Sequence, residues 1–357
     1  MHHLCPIRVV VFVVVLSTGL GCVAGERPQP PQPVAVLPLS NLVVPNDNEQ
    51  LHATLAFISE KSIALAVCRV PKNSVASACY LFALDWKGSQ LTVIAHTTQL
   101  LSGSQIFRFG DGRILTATPI SSGTLYSPDL QVQRLLPFTR PYISGTGNTS
   151  AAVSGDSRDT VWKVYRIFPE LRELWSSRRT LHSVDDQFVV VQEGNLMRTE
   201  TISGQLLGSF SVAPKEKCWT EVEIAHEDRL YLDTCGRSSI VDFKGEQVTR
   251  LRPPPGWGYR AWSANRKRIL FNHFTRWTPF WKRLGDLIPN DNAPANSERV
   301  QVENTEDGSV CFEWRDRGHM LDEGDRHADL SPSGEFVAIV TNTALSLYRI
   351  PNACKTK

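Results

Sequence analysis

Two histidines, His319 and His327, stand eight residues apart in the run RDRGHMLDEGDRHAD (315–329), with Asp322, Glu323 and Asp325 between them. Imidazoles among carboxylates can hold a divalent cation or act as a general acid and base. His319, Asp322, Asp325 and His327 are therefore one candidate polar site. A solvated, charged loop in which His327 or Asp329 hydrogen-bonds neighbouring backbone is the simpler reading of the same residues. The remaining searches for chemistry come back empty. The chain has no G-x-S-x-G nucleophile elbow, no H-E-x-x-H, no P-loop and no G-x-G-x-x-G, so no cofactor or metal is implied.

A second set of residues suits binding rather than catalysis. RPPPGWGYRAW (252–262) carries Trp257, Tyr259 and Arg260, and RWTPFWKRLGDL (276–287) carries Trp277, Phe280, Trp281, Lys282 and Arg283. Large aromatics beside cations stack on sugars and on planar or cationic groups, and they anchor protein interfaces. The competing reading is that long loops cover themselves with their own aromatics. Within the second stretch, Thr278 and Pro279 suit a helix N-cap and first turn, and Gly285 suits a left-handed C-terminus. A helix of about six residues fits between them, with Phe280 and Leu284 on one face to dock it. Contact with a membrane through this segment is the weakest of its readings, because interfacial helices have a wider apolar face.

What must hold these residues follows from composition and repeat. The 357-residue chain has a net charge of +2 and 21% charged residues, a globular composition with no electrostatic case for nucleic acid. Arg8 precedes the apolar run VVVFVVVL (9–16), which reads as a secretory signal and is too short to span a bilayer. Cleavage after Ala24 is expected, with lipidation at Cys22 as the minority alternative, because STGLGC only approximates a lipobox. Residues 25–33 then form a Pro-rich spacer, and residues 34–357 a single domain, expected to be periplasmic or secreted and monomeric.

Removing residues 1–24 leaves six cysteines, at 68, 79, 218, 235, 311 and 354. An even count in an exported chain points to disulfides. Spacing favours Cys68–Cys79 and Cys218–Cys235 across hairpins, which leaves Cys311–Cys354 to tie down the C-terminus.

Two series of polar turns recur between short β-rich runs. One contains EKS (60–62), GDGR (110–113), VDDQ (184–187), HEDR (226–229), NRK (265–267) and SPSG (331–334). The other starts at residues 85, 126, 167, 201, 242 and 305, with steps of 41, 41, 34, 41 and 63. A period near 40 with one long insertion predicts four-stranded units repeated around an axis. The expected fold is all-β: a seven-bladed propeller closed by VAVLPL (34–39) pairing beside SLYRI (346–350), with an insertion at about 273–298 in blade 6.

At SPSGEFVAIV (331–340), from Ser331 to Gly334 and on into the strand, the sequence resembles the exported TolB-like and WD-repeat propellers. YSPDL (126–130) is a weaker echo. The resemblance implies the fold and brings no catalytic residues with it.

In such blades both turn series lie on one face, and the long connections gather on the other. The aromatic stretches and RDRGHMLDEGDRHAD are expected there, around blades 6 and 7. The chain accordingly reads as a binding or scaffold module for an unidentified protein or glycan. The alternative is a propeller enzyme (a lyase, glycosidase or quinone-dependent dehydrogenase) working through residues 319–327.

Overall fold

The computed structural model describes residues 31–71, 78–98, 105–109, 112–117, 123–137, 142–143, 149–154, 161–212, 220–275, 295–321 and 327–355. For strand residues 105, 142–143, 149–154, 257, 275, 295–297 and 317–321 the backbone alone is described.

After β1 (Ala35–Pro38) and a 3₁₀ turn at Leu39–Asn41, the strands group by fours in chain order. Sheet 1 holds β2 (Glu49–Phe57), β3 (Ser62–Pro71), β4 (Ala78–Lys87) and β5 (Gln90–Thr97). Sheet 2 holds β6 (Gln105–Arg108), β7 (Ile114–Ala117), β8 (Thr124–Tyr126) and β9 (Val132–Leu135). Sheet 3 has β10 (Tyr142–Ile143), β11 (Thr149–Ser154), β12 (Val161–Arg166) and β13 (Arg172–Ser177). β14 (Thr180–Val184), β15 (Phe188–Glu193), β16 (Leu196–Thr201) and β17 (Leu206–Ser211) make sheet 4. β18 (Thr220–His226), β19 (Arg229–Thr234), β20 (Arg237–Asp242) and β21 (Gln247–Arg250) make sheet 5. Sheet 6 has β22 (Trp257–Trp262), β23 (Arg268–Thr275), β24 (Ala295–Asn304) and β25 (Val310–Leu321). Sheet 7 takes β26 (Ala328–Leu330), β27 (Phe336–Val340) and β28 (Ala344–Arg349), and its fourth strand is β1.

All pairings are antiparallel, and β1 joins β28 with Val36 opposite Ser346. The strand sequences explain the layering. β3, SIALAVCRVP, is buried on both faces over Ile63–Val67, whereas β5, QLTVIAHT, is largely exposed. A strand that is apolar on both faces needs cover on both, which only neighbouring sheets supply.

The core accordingly lies between sheets. Leu55, Phe57 and Leu65 of sheet 1 pack with Val340 and Leu347 of sheet 7. Ala64 and Leu81 of sheet 1 pack with Ile106 and Tyr126 of sheet 2. Equivalent clusters join sheets 2 and 3, 3 and 4, 4 and 5, 5 and 6, and 6 and 7. Fully burying each such Leu, Ile or Phe contributes about 1.5–3 kcal/mol. A polar tie adds to the seam between sheets 7 and 1: the Phe57 N–H donates to buried Asp329 Oδ2 at 2.8 Å.

The short turns fall where the repeat places them, between the first and second or the third and fourth strands of each sheet. DWKG, TISG, DFKG and TEDG each put glycine at positive φ, from 62° at Gly88 to 93° at Gly204, a conformation that costs glycine nothing. Cys68 faces Cys79 directly across β3 and β4, and the two are bonded. Cys311 is bonded to Cys354, beside a bridge between Val310 and Lys355. Cys235 is also disulfide-bonded; Cys218, its expected partner, lies outside the described residues.

Two boundaries differ from the sequence expectation. Trp257, Tyr259 and Arg260, expected in a connection, belong to β22. His319, also expected in a connection, belongs to β25, which continues to Leu321. Of the insertion expected at about 273–298, residues 273–275 belong to β23 and residues 295–298 to β24, the second and third strands of sheet 6, which leaves 276–294 between them. That segment lies outside the described residues, and with it the helix expected after Pro279.

Candidate functional site

Of the expected aromatic and cationic set, Tyr259 and Arg260 have described side chains. Trp257 is placed by its backbone, and Trp277, Phe280, Trp281, Lys282 and Arg283 lie outside the described residues. Alternation along β22 sends Tyr259 and Arg260 to opposite faces of the sheet. The Tyr259 hydroxyl accepts the Ala328 N–H at 2.7 Å, tying β22 to the start of β26. Arg260 turns the other way, towards sheet 5. It donates from Nη1 to Glu221 Oε2 at 2.8 Å and from Nη2 to Glu223 Oε1 at 2.7 Å. Its guanidinium also lies over the ring of Tyr231, 4.6 Å from the centroid.

Trp262, two residues on, donates its indole N–H to Glu223 Oε2 at 2.9 Å. Arg260 is only 10% exposed, against 43% for Glu221 and 31% for Glu223. Burial works against both charged forms here, yet the pairing outweighs it. Glu223 and Glu221 hold Arg260 above its ordinary range, and Arg260 holds Glu223 below the usual carboxylate range. One guanidinium serving two carboxylates leaves this cluster one unit negative, and its exposed member, Glu221, lies near the end of β18 where the long connections attach.

Glu221 and Glu223 were not among the expected site residues. The signal for them is nevertheless in the sequence. T-E-V-E-I sets two acids two apart on an inner strand, and R-A-W sets Arg260 and Trp262 two apart on the next inner strand. The contacting pairs are separated by 39, 37 and 39 residues, close to the repeat period.

The polar candidates at 319–327 are placed unevenly. Asp322 and Asp325 lie outside the described residues, and only the backbone of His319 is described. His327 is buried at 8% exposure, with Nδ1 3.4 Å from Oε1 of fully buried Glu298. Glu298 also accepts from Asn272 Nδ2 at 2.5 Å, and the His327 ring packs edge-on against Phe274, 5.6 Å between centroids. This chain of Asn272, Glu298 and His327 joins sheet 6 to sheet 7 inside the protein. It can orient the imidazole, but the ring sits in a packed interior. Among the described residues no group of three His, Cys, Asp or Glu is arranged to hold a metal ion. No helix among the described residues is long and apolar enough to cross a membrane.

No family model matches the chain, and no curated protein matches it in sequence. Its fold is nevertheless shared with solved structures. A chain of the mitotic checkpoint complex aligns over 98% of this chain and 100% of its own, with a TM-score of 0.51 and 10% identity. Sqt1 of Chaetomium thermophilum aligns over 89% of this chain and 98% of its own, with a TM-score of 0.51 and 11% identity. An oligogalacturonate lyase from Vibrio parahaemolyticus aligns over 86% of this chain and 93% of its own, with a TM-score of 0.50 and 12% identity. These likenesses are to WD-repeat and TolB-like propellers, and at such identities they establish the β-propeller fold alone.

Proposed function

We propose that this chain is an exported, non-catalytic binding or scaffold propeller. In this reading its seven sheets are the blades of one ring closed by β1, and it engages a protein or glycan at the long-connection end of sheets 6 and 7. The observation that carries the reading is the contrast between the two ends of the sheets. One end has short turns throughout. The other receives residues 72–77, 251–256, 276–294 and 322–326, three of which start or end on sheet 6. Support for export comes from the signal-like N-terminus and from disulfides among the described cysteines. The likeness to a chain of a multi-protein complex agrees with a scaffold role.

The contact residues proposed are Trp257, Tyr259, Trp277, Phe280, Trp281, Lys282 and Arg283. Arg260 supports them from beneath by fixing β22 to β18. The test uses protein secreted from its own leader and beginning at Gly25. Trp277→Ala/Phe280→Ala/Trp281→Ala should lose binding on a glycan array and to partners recovered by crosslinking, with the melting temperature within about 2 °C of the native value. Binding that survives the triple change would reject this surface.

A further inference from the structure

Arg108 ends β6, the inner strand of sheet 2, but its guanidinium is bonded elsewhere. It donates from Nη1 to Leu330 O of sheet 7 at 3.2 Å and from Nη2 to Trp262 O of sheet 6 at 3.3 Å. The inner strand β2 touches both β6 and β26 and so stands between them. The Arg108 side chain therefore crosses the space enclosed by the inner strands instead of following the wall. Arg266, in the turn from β22 to β23, approaches the same residue from another side, with its Cζ 5.2 Å from the centre of the Trp262 ring. Two guanidiniums thus converge on one tryptophan, one at its carbonyl and one at its indole.

Neither cation has a carboxylate against it. Both bonds from Arg108 end on carbonyl oxygens, and the Arg266 guanidinium makes no hydrogen bond or ion pair among the described residues. The acids whose charge reaches Arg266 are Glu223 and Asp185, and the hydrogen bonds described for both go to other groups. Glu223 serves Arg260 and Trp262. Asp185 Oδ1 accepts the N–H groups of Gln187 at 2.7 Å and Phe188 at 2.8 Å. Burial brings Arg266 down to about 10, and Arg108 pushes the same way, so Arg266 is still cationic at neutral pH.

The backbone at Arg266 adds a second, independent mark. Three turns of this series share a bond from the fourth residue's N–H to the first residue's carbonyl: Gly112 to Phe109, Arg266 to Ser263, and Gly334 to Ser331. The fourth residue is left-handed in all three, with φ of 85°, 56° and 78°. Sheets 2 and 7 use glycine there, and sheet 6 accepts the cost of a side chain. That side chain is the unpaired cation.

We propose that Arg108 and Arg266, the latter held over the face of Trp262, form a binding site for one oxyanion, a phosphate or carboxylate group, on the axis at the short-turn end. Two half-buried guanidiniums bind such a group through charge-assisted, bidentate bonds. The site lies at the opposite end from the proposed partner surface, so the two stand or fall separately. It also gives the axis a polarity, with Glu221, Glu223 and Arg260 net negative towards one end and Arg108 and Arg266 positive at the other.

Calorimetric titration of the full chain at constant ionic strength tests the proposal, with inorganic phosphate in one arm and a hexaglutamate peptide in the other. Binding of phosphate identifies a free oxyanion as the ligand, and binding of the peptide alone identifies a protein-borne carboxylate. Binding of neither overturns the site. Arg266→Gly installs the residue of the sister turns and should keep the melting temperature while weakening binding at least tenfold, about the effect of one charge-assisted bond. Arg266→Asn, which also tolerates the left-handed backbone, is the second variant. Lys267→Ala should leave the affinity unchanged. Undiminished affinity in a folded Arg266 variant would sink the proposal.

Discussion

The two junctions that sheet 6 makes with its neighbours each hold a carboxylate, Glu223 of sheet 5 on one side and Glu298 of sheet 6 on the other, and the two are stabilised in different ways. Towards sheet 5, Glu223 is held by a guanidinium that is charged at every accessible pH and by an indole N–H. Towards sheet 7, Glu298 is more deeply buried, yet its contacts are a neutral amide and an imidazole at 3.4 Å. Its Oε2 has no hydrogen-bond partner among the described residues. The first junction is a committed ion pair network. The second is a polar contact of Glu298 with an amide and an imidazole, without a guanidinium among the described residues. Depth of burial therefore does not rank the two; the permanence of the counter-charge does.

The largest effect expected from this difference is at Arg260. Arg260→Met keeps the unbranched stem of the side chain and removes the guanidinium, leaving Glu221 and Glu223 facing one another without that cation. Urea unfolding should show a loss of about 2–3 kcal/mol, below the roughly 3–5 kcal/mol of a fully buried pair because Glu221 and Glu223 keep part of their hydration. A loss below about 1 kcal/mol would mean that solvent at Glu221 screens the network, and the contrast between the junctions would collapse.

At the other junction the expected change is smaller. Glu298→Gln retains the shape and an acceptor for Asn272 while removing the charge, and should cost about 1 kcal/mol in the same assay. A cost equal to that of Arg260→Met would show that Glu298 and His327 form a true ion pair, and the distinction drawn between the two junctions would fail.

How much of this was legible beforehand follows from the same residues. The repeat could be read because its turns are marked by Gly, Asp and Ser at fixed places, and every turn of both series lies between paired strands. The inner strand β22 reads as loop in sequence because RPPPGWGYRAW has three prolines near its start and holds two glycines. The prolines do precede the strand. Gly258, however, is within it for a packing reason: a Cβ there would lie 1.8 Å from Asn272 O, so the close approach of β22 and β23 requires glycine. The charged run RDRGH hid the end of β25 in the same way, since an outer strand half open to water tolerates charge. The ion pairs were missed because their partners are one repeat apart. Strand patterning shows which residues share a face, but pairing one blade's acid with the next blade's cation requires the register of both inner strands.

His273 offers the finest test of the comparison, because it lies on sheet 6 and senses the sheet 5 side. Its Nδ1–H donates to Pro254 O at 2.6 Å. Burial, helped by the Arg260 charge, keeps the imidazole below its ordinary value of 6.5, although the bond to Pro254 and the acids Asp233 and Glu221 oppose this. The folded protein therefore binds fewer protons here than the unfolded chain does. The resulting stability is fully present above about pH 6.5 and is lost as pH falls through the lower, folded value. In Arg260→Met the cation is gone and the acids remain, so the folded His273 value should rise and the acid-side loss of stability should shrink. Following the His273 ring protons by NMR between pH 4 and 8 reads this directly. A His273 titration unmoved by Arg260→Met, with Glu298→Gln shifting it instead, would place this imidazole under the control of the sheet 7 junction and reverse the assignment.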